Sequence, residues 1–444
     1  MSQDKIEIKY KDSVLLDEGE INSVASTLSE YLGTLKKIDE DGGYGHPESF
    51  LCLPSNQELF AKNEAMVGEF SNDALKFIIV VGIGGSNLGT QAVYDAIFPR
   101  YDAFYSRRPK ILFADTNNPH EMSALKKVID ESVHEPKEIV LNVITKSGTT
   151  VETVANAMFL LDVLSTKFGE ETALSRMVVT TDEDSALWKL AVEKSIRLLP
   201  IPKNIGGRYS IFTHAGIFPL RLAGINVSEL LAGAVSIKKD LFESTPSQNM
   251  ALLSAVIDFL IHKKKLNIYN NFFFHPKLES VGKWGRQLLA ESLGKKFDKN
   301  GNTINAGMTP IVSIGSTDLH SMVQLYLGGP RDKFTNFVYA EGTEEGLISV
   351  PNHSPFIMLV PDIVGKDFHK ITSSILGGTM EAYKEKAFPY IETVLPRINE
   401  HTLGQYFMLK MVETILLGKL WNVNPFDQPE VESYKKVARE LLKK

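Results

Sequence analysis

The stretch Phe77–Gly89 constrains this 444-residue chain more than any other. Phe77-Ile78-Ile79-Val80-Val81 is a continuous apolar run with no polar alternation, which suits a strand covered on both faces, as in a parallel sheet. It flows directly into Gly82-Ile83-Gly84-Gly85-Ser86-Asn87-Leu88-Gly89 and then into a helical pattern through Ala96. Further runs repeat the theme: Ile111–Ala114 ending in Asp115, Glu138–Ile144, a helix over 151–168, and Met177–Thr180. Strands that alternate with helices predict a doubly wound α/β sheet with right-handed crossovers.

A second series begins near Ile268, with strands at Asn271–Phe274, Thr335–Tyr339 and Phe356–Val360 and a helix over 278–293. Apolar positions at helical spacing predict a helical segment over 13–38. Residues 216–265 and two closing stretches, 400–421 and 430–443, read as helical too. The expected organisation is an N-terminal helical segment (1–65), a first α/β domain (66–215), a helical connection (216–265), a second α/β domain (266–395) and C-terminal helices (396–444). Two α/β halves of similar size suggest a duplication.

The glycine turn after the first strand offers backbone N–H groups and a helix N-terminus to an anion, commonly phosphate. It is neither a P-loop, since it has no Lys, nor a dinucleotide fingerprint, since Asn87 stands where the third Gly belongs. A tight strand-to-helix connection capped by Ser86 is the plain alternative. Thr145-Lys146-Ser147-Gly148-Thr149-Thr150 sets four hydroxyls and a cation at another strand-to-helix junction, although Thr150 or Thr153 could simply cap the helix. Two anion-ready turns at strand ends of one sheet favour a phosphate site.

Other segments supply chemistry. Gly206-Gly207 precedes Arg208, whose permanent charge suits a developing oxyanion, though a structural ion pair would also explain it. Gln287 and Glu291 share a helix face, and Glu291 can serve as a general base; Glu291 and Lys295 also have the spacing of an ordinary surface ion pair. His320 lies in the polar segment Ser316–Ser321, a context an acid–base imidazole tolerates, as does a merely solvated one. The ten histidines form no metal-ligand motif.

Composition narrows the partners. A formal net charge of −6 argues against a general nucleic-acid binder but allows a local basic pocket. The one cysteine, Cys52, excludes an intramolecular disulfide and a cysteine-based zinc site. With no apolar run of about 18 residues and no signal-peptide core at Met1–Glu7, a cytoplasmic protein without a membrane span is expected.

Taken in order, Gly82–Gly89, Thr145–Thr150, Gly206–Ser210, Gln287–Glu291, Ser316–His320 and Phe426-Asp427-Gln428-Pro429-Glu430-Val431-Glu432-Ser433-Tyr434-Lys435 closely resemble the glucose-6-phosphate isomerase family, in its compact bacterial form. The resemblance covers about Val80 to Lys435. It implies two SIS-type (sugar isomerase) α/β sandwiches with helical extensions, and interconversion of glucose 6-phosphate and fructose 6-phosphate without cofactor or metal. By resemblance, Gly85, Ser86, Thr145, Lys146, Ser147, Thr150, Gly207 and Gln287 bind substrate and its phosphate. Glu291 is then the base that carries a proton between C1 and C2, and Arg208 stabilises the enediolate. His320 and Lys435 are the pair that opens the ring, with His320 contributed by the second subunit of a homodimer. Two departures stand out: Thr-Lys-Ser where other members begin Ser-Lys-Thr, and Asn87 where many carry Asp. A non-catalytic sugar-phosphate sensor should lack Glu291, Arg208 or His320, and a metal-dependent isomerase should be sensitive to chelators.

Overall fold

A computed structural model describes residues 5–98, 100–107, 109–342 and 348–443; the charged extreme N-terminus, Met1–Asp4, lies outside them. The described strands are β1 (Glu7–Lys9), β2 (Phe77–Val81), β3 (Lys110–Ala114), β4 (Ile139–Ile144), β5 (Met177–Thr181), β6 (Arg197–Pro200), β7 (Ile268–Phe273), β8 (Lys295–Phe297), β9 (Thr303–Ala306), β10 (Thr309–Ile314), β11 (Lys333–Ala340) and β12 (Tyr390–Leu395). The chain forms two compact units, Tyr31–Lys238 and Met1–Glu30 with Lys239–Lys444.

In the Tyr31–Lys238 unit the strands run in the order β3-β2-β4-β5-β6, every pairing parallel. All six residues of β4 and the last four of β2 are buried, as the unbroken apolar runs require of strands covered on both faces. Ile79, Val81, Leu141, Val143 and Val179 pack with Leu160, Val163 and Leu164 of the helix Val151–Phe168. Each such fully buried side chain stabilises the fold by about 1.5–3 kcal/mol. Polar Asn142 is accommodated inside β4 because its amide donates to Val178 O (3.2 Å) and Thr180 Oγ1 (3.1 Å).

In the other unit the order is β1-β12-β11-β7-β10, parallel except for β1. Counted along the chain, both sheets therefore share the parallel order second-first-third-fourth; β6 extends one, and the antiparallel N-terminal β1 extends the other. This common winding accords with a duplication. The core of the second sheet is aromatic: Phe272, Phe274, Phe337, Tyr383 and Tyr390 pack together. The helix Glu400–Leu420 is enclosed on all sides from Thr402 to Gly418, matching its apolar character all round.

The strand expected at Phe356–Val360 does not form. These residues are an exposed turn, with Phe356 70% and Met358 84% accessible. Pro355 and Pro361 flank the run, and proline contributes no ladder donor. The strand in that place in the sheet is β12, whose interior Glu392 breaks the apolar pattern and accepts a hydrogen bond from Tyr339 OH (2.7 Å). The first helical segment is two helices, Glu18–Ser26 and Ser29–Asp41, preceded by β1. Strand β10 carries Pro310 and lies at a sheet edge, where proline is tolerated.

Candidate active site

Both anion-ready turns stand at the carboxyl edge of the Tyr31–Lys238 sheet, on adjacent strands. β2 has β3 on one side and β4 on the other, so the winding reverses between β2 and β4. Open α/β sheets hold ligands in the crevice at such a reversal. Val81 pairs with Val143 across it, so the turns that follow, Gly82–Asn87 and Thr145–Thr150, face each other.

Glycine makes the close approaches possible. A Cβ on Gly82 would lie 2.9 Å from Ser86 Cβ and 3.1 Å from the Ile144 carbonyl oxygen. One on Gly85 would come within 2.2 Å of the Gly207 carbonyl carbon and 2.5 Å of Arg208 N. Ser210 Oγ secures this contact by donating to Gly85 O (3.2 Å) and Gly207 O (2.7 Å). The Gly207–Tyr209 turn thus brings the backbone of buried Arg208 against the first anion-ready turn.

Ser86 ends a short 3-10 turn, Gly84–Ser86, and Asn87, rather than Ser86, precedes the helix Leu88–Ile97 as its cap residue. Asn87 is buried and its amide donates to Asp115 Oδ2 (3.1 Å). An Asp at position 87 would set carboxylate against carboxylate there; Asn supplies the donor.

In the second turn, the Thr145 and Thr150 hydroxyls are 2.9 Å apart, and Ser147 Oγ is 3.4 Å from Thr150 Oγ1. Thr150 precedes the helix Val151–Phe168 without capping it through its side chain, so the capping alternative is not realised. The turn is braced from β5, where Thr181 Oγ1 donates to Thr145 O (2.6 Å). Gly148 has φ +71°, and a Cβ there would meet Leu187 N at 2.9 Å. Burial lowers the pKa of Lys146, opposed by the nearby Asp182. Hydroxyls and a helix N-terminus stand at one crevice, with half-buried Lys146 in the same turn, a set of groups that suits a phosphate dianion.

In the Met1–Glu30 with Lys239–Lys444 unit, Gln287 and Glu291 lie on the helix Glu279–Leu293, and Gln287 Nε2 donates to Glu291 Oε1 (3.2 Å). The start of this helix packs near the carboxyl end of β10: a Cβ on Gly282 would meet Val312 Cγ1 at 2.6 Å. Its end lies at the amino end of β10, where a Cβ on Gly307 would be 3.2 Å from Gly294 Cα. His320 is exposed and follows the opposite, carboxyl end of β10, in a loop closed by Asp318 accepting from Ile314 N (2.7 Å) and Ser321 Oγ (2.7 Å). Glu291 and His320 therefore lie toward opposite ends of β10 in one copy of this unit.

Lys435 lies on the helix Val431–Leu441 and pairs with Glu432 (3.1 Å). That helix follows Asp427, which is bound to Lys295 beside Glu291. Lys295 itself is buried, and its ammonium is held by the Glu291 carbonyl oxygen and Asp427, so it is not the surface residue its spacing suggested. Thr181 escaped the sequence reading, and Ser210 and Lys295 entered it without their bracing roles, because bonds to backbone carbonyls leave no spacing pattern.

Residues 61–444 match the family model described as phosphoglucose isomerase. The chain belongs to the phosphoglucose isomerase family. It is 32% identical over 438 residues to the glucose-6-phosphate isomerase of Carboxydothermus hydrogenoformans, covering 98% of this chain and 92% of that one. To the glucose-6-phosphate isomerase of Mycoplasmopsis synoviae it is 33% identical over 445 residues, covering 99% and 98%. Among solved structures, a hypothetical protein of Thermus thermophilus superposes with a TM-score of 0.85 at 26% identity, covering 99% of this chain and 100% of that one. A glucose-6-phosphate isomerase from Chlamydia trachomatis shares the fold, with a TM-score of 0.81 at 19% identity and coverage of 98% and 88%.

Proposed function

We propose that Glu291, Arg208, His320 and Lys435 carry out the reversible isomerisation of glucose 6-phosphate and fructose 6-phosphate, in glycolysis and gluconeogenesis, through a cis-enediol(ate). The family carries the reaction; the crevice at the β2–β4 reversal is the single observation that best supports the roles. There Gly85, Ser86, Thr145, Lys146, Ser147, Thr150 and Gly207 hold the phosphate end. Its binding energy positions carbons that do not themselves touch these groups.

The chemical step removes the proton on the carbon beside the open-chain carbonyl and returns it to the neighbouring carbon. Glu291 does both from one face, with Gln287 orienting its carboxylate, and general acid–base help of this kind is worth about 10²–10⁴-fold. Negative charge develops on the enediolate oxygen, where the fixed charge of Arg208 favours it over the neutral ground state. His320 and Lys435 move the protons that open the sugar ring.

The working form in this reading is a cytoplasmic homodimer. The placement of Glu291 and His320 toward opposite ends of β10 supports it. Exposed Phe356, Met358 and Leu359 supply apolar surface of the sort that subunit contacts cover. Among the described residues, no helix is long and apolar enough to cross a membrane.

The test is conversion of fructose 6-phosphate, followed by a coupled glucose-6-phosphate dehydrogenase assay with and without EDTA. Turnover unaffected by EDTA is expected. Binding of sugar phosphate with no turnover would favour a sensor, and turnover abolished by EDTA would favour a metal-dependent isomerase.

A further inference from the structure

We infer that Lys295 is a positioning residue for the isomerisation: it ties the last turn of the helix carrying Glu291 to the tail carrying Lys435. This rests on the roles proposed above for Glu291 and Lys435.

Lys295 follows the helix Glu279–Leu293 and is 7% exposed. A buried ammonium demands partners. Its Nζ lies 2.9 Å from Glu291 O, hydrogen-bonds Asp427 O, and is 3.0 Å from Asp427 Oδ1. The Glu291 carbonyl is one of the last four of the helix, which have no partner within it. A cation at that end also complements the helix dipole. Lys295 therefore fixes the backbone of the base itself.

The other half of the tie is a closed turn. Asp427 Oδ2 accepts from Asn424 Nδ2 (3.0 Å), while Asn424 Oδ1 accepts from Phe426 N (3.1 Å). Pro425 lies on Gly418, where a Cβ would be 3.2 Å from the proline ring. Beyond this turn the helix Val431–Leu441 has no buried residue among those described. The turn before it is its tether, and Lys435, half-buried like Val431, stands one turn into it. The tether ends on Lys295.

The experiment uses the full-length enzyme in four forms: parent, Lys295→Met, Lys295→Arg and Lys296→Met, the last an exposed neighbour as control. With fructose 6-phosphate, Lys295→Met should lower kcat by about 10- to 100-fold while KM changes less than about threefold, since misplacing reacting groups by an ångström costs on that order. Lys295→Arg, which can still donate to both carbonyls, should recover much of the loss, and Lys296→Met should match the parent. In a Lys435→Met background the further effect of Lys295→Met should be smaller than in the parent, because only the part that acts through the Glu291 backbone remains. Unchanged kcat, a change confined to KM, or full multiplicative loss in the double variant would overturn the inference. If Lys295→Met does not fold, Asp427→Asn decides: a lowered kcat at an unchanged melting temperature supports the tie, and parental kcat overturns it. Glu291→Gln in the same series separates the two readings. If it is inactive while Lys295→Met is not, only the tie fails; if it is fully active, the assignment of the base fails.

Discussion

At the scale of single residues, environment decides what a side chain does. His214 opens the helix His214–Leu222 and is 1% exposed, with Asn63 Oδ1 3.5 Å from its Nδ1. Burial, with a smaller push from Lys62, drives its pKa down to about 3. The unfolded chain, with an imidazole near pH 6.5, therefore binds more protons between those limits, and stability falls as the pH drops through that window. Relative to His214→Gln, the parent should lose about 1 kcal/mol between pH 7 and pH 5.5. Urea unfolding of both proteins at the two pH values checks this; a parallel response would place the imidazole in contact with water. Asn87 is a second example. The sequence marked it as a departure that removes a charge, and the structure gives the reason in its bond to Asp115.

At the scale of elements, the site is assembled by turns that meet rather than by long helices or strands. Gly85 and Gly207 touch across the gap between two strand-to-helix connections, and the contact leaves no room for a side chain at position 85. Gly85→Ala should force these turns apart and lower kcat/KM by about 10²-fold or more, as misplacement of a binding group does. Steady-state kinetics with fructose 6-phosphate checks it, and a variant within twofold of the parent would show that the contact is not needed. How much of this could be read in the sequence follows from the kind of force involved. Strands β2 and β4 and the helix Val151–Phe168 were legible because burial on both faces, or helical periodicity, writes itself into local composition. Strands β1, β6, β10 and β12 were not, because edge position, proline or a central glutamate hides the pattern. The turns holding Ser86, Thr145 and Thr150 were legible as anion-ready motifs. Their adjacency was not, since it comes from a strand order that no local stretch records. The run Phe356–Val360 misled for the complementary reason: apolar composition without a neighbouring strand makes an exposed turn.

At the scale of the whole molecule, the proposed function draws on two copies of the chain. With Glu291 and His320 at opposite ends of β10, the proposed homodimer has a direct test in hybrids. Glu291→Gln and His320→Ala proteins, each nearly inactive alone, should regain about a quarter of parental activity after subunit exchange, because half the dimers are then mixed and each has one intact site. No recovery, with exchange verified by mass, would contradict contribution of His320 by the partner. The central claim, however, is that one carboxylate shuttles a proton between neighbouring carbons of a sugar phosphate. Its most direct measurement is NMR of fructose 6-phosphate in D2O with the parent enzyme and with Glu291→Gln. The account predicts that the parent forms glucose 6-phosphate and exchanges solvent deuterium into the substrate carbons. The variant should do both at least about 10²-fold more slowly while still binding sugar phosphate. Exchange and conversion at the parental rate in Glu291→Gln would contradict it.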